Sequence, residues 1–299
     1  MPHPTRQVAV VTGALGGIGR ATVRRLLQDG WAVAASYAQG VEKPEQAMAF
    51  KAELGEFGDR LSLHPLNLAY SASIRAFFAE ALSTWGRLDA LVNNAAVGTA
   101  TVADYATDST QQDELLLHIN AAGTLTLTQL FVAQMRRQWG DLALAELPAA
   151  KLVSTSSVGG GVATFPFFRL ADGMSKAAVA FMTRQIAAEH VHTPLDVFAI
   201  CPGATNTGMF QASTLNAMTD AERVAFVARL PKQRLIEPPE IAELIAFLLT
   251  PHSRVLHGAV LDASMGLGGR PGLMTEIGHW AGEFCRPTAP AALNRANLP

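Results

Sequence analysis

From residue 7 to residue 262 the chain alternates short apolar runs with longer amphipathic ones, and this alternation restricts the fold most. Residues 7–12 (QVAVVT) form a β-branched run of strand length. Residues 17–28 follow with Ile18, Val23, Leu26 and Leu27 on one helical face, and Asp29-Gly30 ends them. The same rhythm predicts strands at 31–37, 61–66, 88–93, 152–155, 195–200 and 259–262. Helices are predicted at 44–57, 71–85, 111–138, 172–189 and 239–249. Strands alternating with helices require parallel pairing, because each helix carries the chain back to start the next strand in the same direction. Right-handed crossovers then give an α/β fold: a Rossmann-type doubly wound parallel sheet, helices on both faces, strand order 3-2-1-4-5-6-7.

We read 1–266 as one domain. Only 204–237 breaks the rhythm, a partly helical stretch bearing Met209, Phe210, Met218 and Phe226. In such a sheet it falls at the carboxyl ends of the strands, so it is read as a substrate lid, with a plain surface insertion as the alternative. The remainder, 267–299, is a Gly-, Pro- and Ala-rich C-terminal extension, either disordered or a subunit contact.

Composition excludes several classes. An apolar content of 49% with a net charge of −2 rules out disorder as the main state. The same balance argues against nucleic acid or an anionic membrane surface as a partner. Two cysteines, Cys201 and Cys285, make neither a disulfide framework nor a zinc site, and a cytoplasmic location is expected. The start, Met1-Pro-His-Pro-Thr-Arg6, lacks the charged-then-apolar pattern of a signal peptide, and no membrane span is expected. The eight histidines show no ligand spacing, so no metal is expected. Charged residues are 16% against a usual figure of about 25%. Part of the surface is therefore expected to be covered by another subunit or a ligand.

The chemistry begins after the first strand, at Thr12-Gly13-Ala14-Leu15-Gly16-Gly17-Ile18-Gly19. Glycines allow close backbone approach, and the helix that follows offers unpaired N–H groups and the positive end of its dipole to a pyrophosphate. Set between strand and helix, the cluster is read as a phosphate loop rather than a structural turn. Its Gly-x3-Gly-x-Gly spacing resembles the classical short-chain dehydrogenase/reductase family. Further matches follow in order: Asn93-Asn94-Ala95-Ala96, Asn120 in the long helix, Ser156-Ser157-Val158-Gly159, Lys176 opening Ser-Lys-Ala-Ala, and Pro202-Gly203 with Thr207. The resemblance spans roughly residues 6–266. It implies a nicotinamide dinucleotide lying against Gly13, Leu15, Gly17, Ile18 and Gly19. It also implies contacts from Tyr37, from Asn67 and Leu68, from Asn93 and Ala95, from Lys176, and from Pro202, Gly203, Thr205 and Thr207. Strand two ends Ser36-Tyr37-Ala38-Gln39 with no carboxylate to hold ribose hydroxyls, which favours NADP(H) over NAD(H). Arg20 and Lys43 are candidate partners for its 2′-phosphate.

The resemblance implies hydride transfer to or from a small-molecule carbonyl/alcohol or imine/amine, with Asn120, Ser157, Asp172 and Lys176 as the catalytic set. Ser157 is preferred over Ser156 because the loop to Asp172 is two residues longer than the family spacing. The family's proton donor is a tyrosine four residues before the lysine. Here that position is Asp172, and the chain's three tyrosines, Tyr37, Tyr70 and Tyr105, all lie far upstream. On a helix, residues 172 and 176 share a face. A carboxylate beside an ammonium is a poor proton donor near neutral pH, but it suits a cationic substrate such as an iminium. Asp172 can equally be a helix N-cap, and Tyr105 is a weaker candidate donor. Phe165-Pro-Phe-Phe168 is read as pocket lining or core. A catalytically inactive nucleotide-binding protein with a scaffold role is the opposing class. The resemblance also implies a homodimer or homotetramer packed through the helices at 111–138 and 172–189.

Overall fold

The computed structural model describes residues 6–140, 148–166 and 168–272. Seven parallel strands lie in the order β3-β2-β1-β4-β5-β6-β7, matching the predicted order. They are β1 Val8–Val11, β2 Ala32–Ala38, β3 Leu61–Leu66, β4 Ala90–Asn93, β5 Ala150–Thr155, β6 Leu195–Pro202 and β7 Val260–Ala263. Each crossover runs through a helix. Those between the strands are α1 Gly17–Gln28, α2 Pro44–Glu53, α3 Ser71–Trp85, α4 Ser109–Leu117 continuing into α5 Thr124–Trp139, α6 Val158–Gly161 and α7 Leu170–Glu189. After β6 come α8 Gly208–Phe210, α9 Asp220–Arg229 and α10 Pro238–Leu248.

The central strands are buried along their whole length because both faces are covered. On one face Phe77, Leu127 and Phe131 pack against Leu91, Leu152 and Val197. On the other, Val23, Leu26, Leu27 and Ile245 pack against Val11, Val33 and Phe198. One described helix, Ser109–Trp139, is long and apolar enough to cross a membrane. Leu116, Leu127, Phe131 and Met135 in it are buried against the sheet, which accounts for much of that apolar character.

Differences from expectation lie at element ends. The helix predicted over 44–57 stops at Glu53, and a 3-10 turn, Gly55–Arg60, follows, with Gly58 at φ 65°. The long helix contains a π-helical turn, His118–Gly123, that its periodicity did not reveal. There Gly123 lies against the Leu68 carbonyl, where a Cβ would stand 2.5 Å from the oxygen. The helix predicted from Asp172 begins two residues earlier, at Leu170. Cys285 and most of the 267–299 extension lie outside the described residues, as does Phe167 of the aromatic cluster.

At the amino ends of β5 and β6, far from the glycine loop, Lys151 and Asp196 face one another in register. Lys151 Nζ donates to Asp196 Oδ2 at 2.7 Å and to Ser253 Oγ at 3.1 Å, with all three residues buried. Removing one member strands the other charge in the interior. We expect Asp196→Ala to lower stability by about 3–5 kcal/mol, read as a shift in urea unfolding, with a smaller loss for the paired change Lys151→Met with Asp196→Leu.

Candidate active site

The first βα turn is held from below. Asn94 Nδ2 donates to the carbonyl oxygens of Thr12 (3.0 Å) and Gly13 (3.3 Å). Thr12 Oγ1 accepts the N–H groups of Asn94 and Ala95. Ser36 Oγ accepts the Gly13 N–H at 3.1 Å. With its lower side fixed, the loop presents its upper side and the start of α1 to the crevice. Gly13 adopts φ 69°, a conformation that disfavours side chains. A Cβ on Gly19 would overlap the Gly13 carbonyl, and one on Gly17 would stand 2.8 Å from Thr207 Cγ2. This bare backbone cradle at a helix N-terminus fits a pyrophosphate.

Four of the expected dinucleotide contacts line one cleft, and the others lie on elements around it. Gly13, Asn67, Leu68 and Ala95 line a small cleft with Ser36, Ala38 and Tyr105. Asn67 turns its side chain back onto the Ala69 N–H (2.9 Å). Asn93 is buried, donating to Thr128 and Ser154, and so holds β4. Leu15 and Ile18 are half-buried against the β1 core. Tyr37 sits near the end of β2, opposite Pro65. Gly203 packs on Ser264. Thr205 donates to the Gly203 carbonyl at 3.0 Å. Thr207 caps α8 and stands against Gly17, and Pro202 closes β6. Arg20 is already engaged: it pairs with Glu53 and lies 4.5 Å over the Phe50 ring.

The expected catalytic residues lie in the π-helical turn, after β5 and in the first turns of α7. Asn120 lies in the π-helical turn, a feature common at functional sites. Its Oδ1 accepts the Val97 N–H (2.9 Å), and its amide donates to the Val97 carbonyl (2.9 Å) and Ser175 Oγ (3.2 Å). It therefore ties the loop after β4 to the first turns of α7. Ser156 donates to the Lys176 carbonyl at 2.8 Å and is buried. Ser157 is half-buried and accepts the Gly159 N–H at 3.2 Å, which leaves its own proton available. The Phe168 ring lies against Gly159 and Gly173, at the junction of α6 and α7.

Asp172 is not the N-cap of α7. Arg169 holds that place, and Asp172 sits in the first turn. It is 7% exposed, and Oδ2 accepts the Thr99 hydroxyl at 3.1 Å. Burial pulls the Lys176 ammonium below the usual lysine range, opposed by the Asp172 charge. Cys201, buried at the end of β6, is pushed up by burial. Tyr105 is pushed up by burial and then by the charges of Glu42 and Asp104, and it lines the small cleft with Gly13 and Asn67. Sequence reasoning quoted Asn94 and Ser36 within motifs without giving either a role, and it missed Thr99 and Glu42, which carried no local signal.

The fold and this cradle are those of a dinucleotide-binding protein. The family model described as enoyl-(acyl carrier protein) reductase matches residues 13–268. An acetoacetyl-CoA reductase from Acinetobacter is 30% identical over 262 residues, 88% of this chain and 98% of that one. Among solved structures, an actinorhodin polyketide ketoreductase variant with NADPH superposes with a TM-score of 0.76 at 26% identity, over 90% of this chain and 99% of that one. A 3-oxoacyl-[acyl-carrier protein] reductase from Brucella melitensis in complex with NAD does so with a TM-score of 0.73 at 27% identity, over 88% and 98%. The chain belongs to the classical short-chain dehydrogenase/reductase family and is an oxidoreductase of that type.

A methyl group on the cradle tests this geometry directly. We expect Gly19→Ala to weaken reduced nicotinamide dinucleotide binding at least tenfold, about 1.4 kcal/mol, measured by ligand fluorescence, with the fold retained by circular dichroism.

Proposed function

We propose that this chain reduces a small-molecule carbonyl with a nicotinamide dinucleotide, using Asp172 and Lys176 where the family uses tyrosine and lysine. The carrying observation is the buried Asp172 carboxylate, fixed by Thr99 and one helical turn from a desolvated Lys176. When bound, the reduced nicotinamide supplies a hydride to the carbonyl carbon. Ser157, its Oγ accepting from Gly159, directs its proton to the carbonyl oxygen. As the carbon–oxygen π pair moves onto oxygen, the Lys176 ammonium gives it a proton, a transfer that burial of the lysine favours. Asp172 balances the lysine charge before the transfer. A second reading, reduction of an iminium, rests on that same carboxylate: the substrate then arrives protonated, and Asp172 stabilises its cation.

The 204–237 segment serves as the lid in this scheme. Thr207 stands against Gly17 and Met209 against Gly98, next to Thr99. The segment thus reaches from the glycine loop to the catalytic side. Ala204, Leu215, Phe226 and Leu230 give it a small core of its own.

The outer faces of α5 and α7 form an apolar groove of about 830 Å³ that includes Leu125, Val132, Phe181 and Met182. Phe181 is 66% exposed, and His190 Nε2, at the groove end, is buried without a partner among the described residues. We assign this face to a homo-oligomer contact. Phe181→Glu is expected to shift the assembly toward monomer in light scattering.

The chemical test follows nicotinamide absorbance with a panel of ketones and imines. We expect ketone turnover that Lys176→Ala reduces at least about 100-fold. The donor must be protonated, so the ketone rate falls as pH rises through a value below the usual lysine range. Asp172 holds the proton on Lys176, so Asp172→Asn moves that fall to lower pH. Turnover of imines alone, weakened by Asp172→Asn, selects the second reading. Tight dinucleotide binding with no turnover across the panel overturns both and leaves a scaffold protein.

A further inference from the structure

The adenosine end of the crevice holds a carboxylate that the strand itself lacks. After β2 the chain turns at Gly40, whose φ of 87° permits the reversal. The N–H groups of Val41 and Glu42 both reach the Ala38 carbonyl, at 3.2 and 2.8 Å. This brings Glu42 back over the strand end, where its Oε2 accepts the Ala38 N–H at 2.6 Å.

The position of that N–H follows from the sheet. The Gln39 N–H bonds the Leu66 carbonyl on β3 at 3.0 Å. Successive N–H groups of a strand point to opposite sides, so that of Ala38 points toward β1. Pairing between β1 and β2 ends at Val11 and Ala35, beyond which the glycine loop begins. The Ala38 N–H, with the Glu42 carboxylate on it, therefore faces the space beyond the end of β1, where Ala38 lines the cleft with Gly13, Ser36 and Asn67. The charge of Glu42 is felt at Tyr105 on the cleft's far wall. Of the two cations considered for a 2′-phosphate, Arg20 is taken by Glu53, and Lys43 is exposed next to Glu42 itself.

We propose that Glu42 reads the adenosine ribose, so that this chain takes NAD(H) in preference to NADP(H). A carboxylate accepts hydrogen bonds from ribose hydroxyls and repels a phosphate in the same place. It also occupies the strand-end N–H that an anionic 2′-phosphate would otherwise use. The expectation of NADP(H) rested on the lack of a carboxylate within strand two. The folded chain brings one there from four residues further on.

The proposal rests on the dinucleotide reading above, and binding rather than turnover tests it. Dissociation constants of NADH and NADPH are measured by ligand fluorescence on the full chain and on Glu42→Gln, with 5′-AMP and 2′,5′-ADP as competitors. We expect the unaltered chain to bind NADH at least about tenfold tighter than NADPH. Glu42→Gln is expected to cut that ratio at least about tenfold, mainly by tightening NADPH and 2′,5′-ADP, while retained NADH binding reports an intact fold. Tighter NADPH binding by the unaltered chain, or a ratio unmoved by Glu42→Gln, overturns the role of Glu42 and leaves the dinucleotide reading standing. Binding of neither dinucleotide overturns both.

Discussion

Strand β1 pairs with β2 on one side and with β4 on the other, so the chain leaves it in both directions and a crevice opens at its carboxyl end. Everything functional hangs on how that crevice is kept open. The Asn94 amide and the Thr12 hydroxyl bind the two sides together below the glycine loop. The loop cannot sag into the sheet, and its free side is left to a ligand. Close packing at Gly13, Gly17 and Gly19 then leaves no room for side chains, so bare backbone faces the crevice.

The proton-handling side depends on a second tie. Asn120 grips the loop after β4 through Val97 and reaches α7 through Ser175. Ser156 grips the backbone of Lys176 from β5. Asp172 and Lys176 are thus placed by neighbours on three elements, with the Asp172 carboxyl held by Thr99 and the Lys176 charge disfavoured by burial.

The fold was legible because its signals are periodic and local. Strand order followed from the alternation of runs and from the handedness of crossovers, and element boundaries were missed by one to four residues, the most at the turn after Glu53. The glycine loop between β1 and α1 was legible by spacing. The π-helical turn was not, since it arises where Gly123 meets the Leu68 carbonyl of a distant loop. The cap role considered for Asp172 failed because the helix starts earlier, at Leu170, and the side chain finds Thr99 instead.

The sequence by itself determined the doubly wound sheet, the glycine loop and the lack of any tyrosine beyond Tyr105, because each is written in neighbouring residues or in one count. Tertiary structure alone decided which side chains hold those parts. The partners are far apart in the chain: Thr99 and Asp172 are separated by 73 positions, and Thr12 and Asn94 by 82. Glu42 is the intermediate case. It lies only four residues from Ala38, yet no strand pattern includes it. A turn at Gly40, outside the strand's period of two, carries its charge to the place where the strand ends.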